Sequence, residues 1–147
     1  MIMSEDGRMV TLLVVEDDEL DVIGVKRALR ALRVNNPVVV AKDGVDALDI
    51  LRGQNGRQKL EAPYIILLDL NMPRMDGLEF LAVIRSDPNL RSSVVFVLTT
   101  SDDQEDIIKA YDHNVAGYIV KADPQRSFMD ALKLVETYWT TVALPAS

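Results

Sequence analysis

Four short apolar runs in this chain each end on a polar side chain, and no other feature restricts the possible folds as much. Val10-Thr11-Leu12-Leu13-Val14-Val15 ends at Glu16 and Asp17, and Tyr64-Ile65-Ile66-Leu67-Leu68 ends at Asp69. Val94-Val95-Phe96-Val97-Leu98 ends at Thr99, and Gly117-Tyr118-Ile119-Val120 at Lys121. Runs this short, rich in β-branched residues and lacking polar alternation, read as strands buried on both faces. They alternate with segments of helical spacing, which predicts βαβ units and a parallel α/β sheet. In a doubly wound sheet the carboxyl ends of the strands share one edge, and ligands bind in the crevice beyond it. Glu16, Asp17, Asp69, Thr99 and Lys121 are therefore expected to converge.

The strands are predicted near 10–15, 37–41, 64–68, 94–98 and 116–120, four of the five buried on both faces. Leu20, Ile23, Gly24, Arg27, Ala28, Ala31 and Leu32 form a helical stripe after the first strand, and Val45, Leu48 and Leu51 one after the second. Asp76 precedes Gly77-Leu78 as the cap of a third helix. Ser101 is expected to cap a fourth, with Asp102, Asp103, Glu105 and Asp106 at the positive end of its dipole. The fifth begins near Asp123-Pro124 and runs through Phe128, Leu132, Val135 and Trp139. Gly53-Gln54-Asn55-Gly56-Arg57 opens the longest loop.

The 147 residues suit one domain, expected over 10–134, with an N-terminal segment at 1–9 and a tail at 135–147. A net charge of −7 argues against a nucleic-acid partner, which needs a basic face. No apolar run approaches the roughly 20 residues that cross a bilayer, and the first residues do not resemble a secretory signal, so a cytoplasmic protein without a membrane partner is expected. With no cysteine, thiolate chemistry and sulfur-ligated metals are excluded. The single histidine, His113, excludes a multi-histidine metal site and is expected at a helix end.

Three carboxylates brought together repel one another, and a hard divalent cation relieves the conflict. Mg2+ suits one or two carboxylates with a backbone carbonyl, water and phosphate oxygens. Because Asp76 is better placed as the helix cap, Asp69 is left for chemistry. A carboxylate can attack phosphorus to give an acyl phosphate where a metal and a cation neutralise the phosphoryl oxygens. Lys121 would supply the cation and Thr99 a hydroxyl donor.

From about Thr11 to Leu134 the sequence resembles the response-regulator receiver domains of two-component signalling. Glu16-Asp17, Asp69, Thr99 and Lys121 match the family's acidic pair, phosphoacceptor, switch threonine and lysine in order, and thirty and twenty-two residues separate the last three. Leu67-Leu68-Asp69-Leu70-Asn71-Met72-Pro73-Arg74-Met75-Asp76-Gly77 is close to the family's most recognisable stretch. The resemblance implies a flavodoxin-like sheet of order 2-1-3-4-5 and phosphorylation of Asp69 by a histidine kinase. It implies Mg2+ on Asp17, Asp69 and the main-chain carbonyl of Asn71, with Glu16 acting through water. Thr99 and Tyr118 would then move as switch residues, and Asn71 and Ser101 would set the lifetime of the phosphate.

The family pattern is broken at two places. Proline commonly follows the lysine in a cis bond, whereas Ala122 stands there, and Thr100 fills a place often held by alanine. Thr100 either slows access to the site or is a tolerated surface residue. The Leu98-Thr99-Thr100-Ser101 run and the tail through Trp139 to Pro145 resemble the single-domain regulators paired with bacteriophytochromes. Tyr138, Trp139, Val142 and Leu144 either expose apolar surface or fold back onto their own sheet; with the resemblance, a homodimer built from helix five and the tail is expected. Magnesium-dependent aspartyl phosphatases need an acid two residues after the nucleophile; Asn71 cannot donate and recover a proton, so a turnover enzyme is not expected.

Overall fold

Each apolar run forms a strand, and the order of pairing decides which of them is covered on both sides. The computed structural model describes residues 9–121, 124–141 and 144–145, without the side chains of 124–128 and 139–141. Among them β1 (Thr11–Val15), β2 (Val38–Ala41), β3 (Tyr64–Leu68), β4 (Val94–Thr99) and β5 (Gly117–Val120) alternate with α1 (Glu19–Ala31), α2 (Gly44–Arg52), α3 (Gly77–Ser86), α4 (Gln104–Asp112) and α5 (Pro124–Thr141). All strand pairs are parallel, in the order β2-β1-β3-β4-β5. The doubly wound α/β architecture expected of the sequence is the one observed.

Side chains alternate across a strand, so each strand supplies both layers of core. Leu13, Val15, Ile66, Leu68, Val95 and Val97 face α2 and α3, where they meet Leu48, Leu51, Phe80, Leu81 and Ile84. Leu12, Val14, Ile65, Leu67, Phe96 and Leu98 face the other way, onto Val25, Ala28 and Leu29 of α1 and Ala131, Leu132 and Val135 of α5. Burial of one such aliphatic or aromatic side chain contributes about 1.5–3 kcal/mol.

Three strands, not four, are buried along nearly their whole length. β1, β3 and β4 each have neighbours on both sides, whereas β2 and β5 are the edges and stay half-exposed. The buried face of α1 also differs from the expected stripe: it is Val25, Ala28 and Leu29, while Leu20 and Ile23 are exposed. Ser101 does not cap α4. Asp103 does, its carboxylate accepting from the Glu105 N–H, and the Ser101 hydroxyl donates to Asp106 instead.

Asp76 caps α3 in a reciprocal box with Glu79, as expected. His113 is the C-terminal cap of α4. Tyr138 packs its ring edge-on against Phe96, centroids 5.1 Å apart, and Leu144 lies against the same core layer. Of the four residues expected at a dimer surface, these two thus serve their own sheet. Val142 and the Trp139 side chain lie outside the described residues, as does Ala122, so the peptide after Lys121 does too.

Candidate functional site

Strand register brings the acidic residues to one edge. Val15 lies opposite Leu68 and Ala41, so the residue after each strand continues the ladder: the Glu16 N–H donates to Ala41 O at 2.9 Å and the Asp69 N–H to Val15 O at 3.0 Å. Lys121 N–H donates to Thr99 O at 2.7 Å on the far side of the sheet. The main chain itself fixes where these side chains start.

Glu16, Asp17 and Asp69 each offer a carboxylate oxygen within 4.8 Å of the others. Glu16 and Asp69 are buried and Asp17 is exposed. Burial, reinforced by the charge of Asp69, pushes the Glu16 carboxyl up to about 8 although Lys121 pulls it down. Without a cation the cluster relieves its repulsion with a proton. An oxygen-rich, anionic cluster with one open face fits a hard divalent cation, which these three carboxylates would hold.

Lys121 is buried among acids. Its Nζ donates to Asp21 Oδ2 at 2.7 Å and to Glu16 Oε2 at 3.4 Å. Burial alone would lower its pKa, but the Asp21 hydrogen bond and the charges of Glu16 and Asp69 raise it, so the ammonium stays charged. Asp21 was not among the residues singled out from the sequence. The signal for it was its place one helical turn after Asp17, on the first turn of α1.

Thr99 is fully buried, and its Oγ1 accepts from the Ser101 N–H at 3.3 Å. The Tyr118 hydroxyl donates to Ser101 O at 2.9 Å, so both expected switch residues hold the start of the same loop. Thr100, beside them, is exposed, and so is Asn71, two residues beyond Asp69.

The loop carrying Asn71 is braced from two sides. Gly77 N–H donates to Leu70 O at 3.0 Å, an approach so close that a Cβ on Gly77 would collide with the Asp69 carbonyl. Arg74, at φ 62°, grips the buried Asp43 carboxylate through Nε at 2.7 Å and Nη2 at 3.0 Å. Asp43 also caps α2 through the Asp46 N–H. The Gly77 brace lies within the recognisable 67–77 stretch, whereas the Arg74–Asp43 brace joins distant segments and left no local pattern in the sequence.

Residues 12–133 match the family model described as the response regulator receiver domain. The chain belongs to this family. It is 34% identical over 137 residues to response regulator Rcp1 of Synechocystis, covering 92% of this chain and 93% of the relative. Among solved structures it is similar to the phosphorylated cyanobacterial phytochrome response regulator RcpA, with 37% identity, a TM-score of 0.83, and 92% and 97% of the two chains covered. It is also similar to the Mn2+-bound form of response regulator Rcp1, with 32% identity, a TM-score of 0.79, and 92% and 99% covered. Receivers are signalling proteins that accept a phosphoryl group from a kinase, and the resemblance read from the motifs is borne out. Among the described residues no helix is long and apolar enough to cross a membrane.

Proposed function

We propose that this receiver takes a phosphoryl group on Asp69 from a histidine kinase of the bacteriophytochrome kind and signals by protein contacts. The observation that carries the reading is the convergence of Asp69 with Glu16, Asp17, Thr99 and Lys121 at the carboxyl edge of the sheet. An Asp69 carboxylate oxygen forms the new O–P bond while the bond from phosphorus to the donor breaks and the donor keeps that electron pair. Thr99 and Lys121 donate to the phosphoryl oxygens. Asp17, Asp69 and the Asn71 main-chain carbonyl, with Glu16 through water, would hold Mg2+, which would supply charge neutralisation. The likeness to phytochrome response regulators supports the choice of kinase.

Thr99 and Tyr118 share the Ser101 segment, so a pull on the Thr99 hydroxyl bears on Tyr118 and on the start of α4. Beyond it, Ile108 and Tyr111 of α4 and Val120 of β5 are exposed apolar residues on the face that would change. A homodimer through α5 and the tail, in a cytoplasmic protein, completes the proposal, supported by the exposed Leu134 on α5.

Intact-protein mass after incubation with Mg2+ and acetyl phosphate tests the reading. A gain of about 80 Da, dependent on Mg2+ and absent from Asp69→Asn, is expected for one phosphoryl group on a carboxylate. Equal labelling of the variant would overturn the assignment.

A further inference from the structure

The lysine of the site is engaged by a carboxylate that lies outside the metal cluster. Asp21 Oδ2 stands 2.7 Å from Lys121 Nζ, closer than Glu16 Oε2 at 3.4 Å. The Lys121 side chain is only 4% exposed and that of Asp21 23%, so this charge-assisted hydrogen bond is partly shielded from water, which strengthens it. Asp21 is also the partner contributed by a helix, while Glu16, Asp17 and Asp69 follow strands. One ammonium thus serves two groups of anions: the α1 carboxylate now, and the phosphoryl oxygens once Asp69 carries them.

We propose that Asp21 is a positioning residue for Lys121, holding the ammonium toward α1 in the unphosphorylated protein and giving it up to the phosphoryl group. The inference rests on the reading of Asp69 as phosphoacceptor. Two consequences follow from charge balance. With part of the ammonium's charge taken up by Asp21, Lys121 compensates the clustered carboxylates less, and they draw a divalent cation more strongly. Transfer of the phosphoryl group, in turn, must pull Lys121 off Asp21, which slows labelling. Loss of Asp21 should therefore move cation affinity and labelling rate in opposite directions, whereas a merely structural role would lower both or neither.

The test compares the parent with Asp21→Asn, Asp21→Glu and Glu19→Gln. Glu19→Gln removes one charge from the same helical turn but at an exposed residue. Mg2+ binding to the unphosphorylated proteins is measured by titration calorimetry, and the rate of labelling by acetyl phosphate at saturating Mg2+ by intact mass. Asp21→Asn is expected to weaken Mg2+ about threefold or more and to speed labelling about threefold, the size of effect that one nearby charge exerts at a partly buried site. Asp21→Glu, which keeps the carboxylate, should return both quantities toward the parent. Changes in Asp21→Asn that match those in Glu19→Gln, or a fall in both affinity and rate, would overturn the proposal. An unlabelled parent would fail the Asp69 reading alone, since Mg2+ affinity still decides whether Asp21 tunes the cluster.

Discussion

Asp43 and Arg74 carry the most testable electrostatics of the resting protein. Burial would raise the Asp43 carboxyl, yet the Arg74 guanidinium and the Asp46 N–H outweigh it and hold its pKa below the usual carboxylate value. A depressed carboxylate stabilises the fold fully above its unfolded pKa of about 4, and the contribution is lost as pH falls through the lower folded value. Arg74→Met should therefore be less stable than the parent at pH 7, with the gap shrinking below about pH 4; urea unfolding at both pH values checks this. Gly77→Ala would force a Cβ against the Asp69 carbonyl and is expected to cost about 1–3 kcal/mol as an overpacked contact, with slower labelling of Asp69. The site residues themselves were legible because each directly follows, or in Thr99 ends, an apolar run, and a parallel sheet gathers such ends without further information. Arg74 and Asp43 were not, because their pairing is set by how loops and helices dock, which no local spacing encodes, and Asp21 carried only its spacing from Asp17.

Among the helices, Arg85 decides how α3 is joined to its surroundings. Its guanidinium donates to His113 O at 2.6 Å, Arg91 O and Ser93 O at 2.8 Å each, and Asn114 O at 3.1 Å, tying α3 to the loop before β4 and to the end of α4. The C-terminal end of α4 is thereby pinned, while its start lies on the Ser101 segment that Thr99 and Tyr118 hold. Arg85→Met leaves four carbonyl acceptors without this donor, and a loss of about 2–4 kcal/mol is expected from the charged hydrogen bonds. A lower urea midpoint at unchanged m would show it. The helices also mark where periodicity misleads. α1 carries apolar residues nearly all round, so a stripe through Leu20, Ile23 and Ala31 fits helical spacing as well as the buried one through Val25, Ala28 and Leu29. Only docking against β1, β3 and α5 chooses between them. Edge position similarly separates β2 from the central strands, although its run is as apolar as theirs.

Assembly of the whole molecule depends on what α5 leaves exposed. Tyr138 and Leu144 extend the core beneath α5, which closes one route to a dimer and leaves Leu134 as the exposed large apolar residue of that helix among the described residues. Light scattering at micromolar concentration is expected to give twice the chain mass for the parent and the mass of one chain for Leu134→Glu; a monomeric parent would count against the dimer. The central claim, that Asp69 is the phosphoacceptor, is tested most directly by mapping. After Mg2+ and acetyl phosphate, borohydride reduces an aspartyl phosphate to homoserine, and the peptide holding the acceptor becomes about 14 Da lighter than the untreated one, as only an acyl phosphate allows. Homoserine at residue 69 is the expected result; homoserine at residue 16, 17 or 21 with residue 69 unchanged would contradict the account.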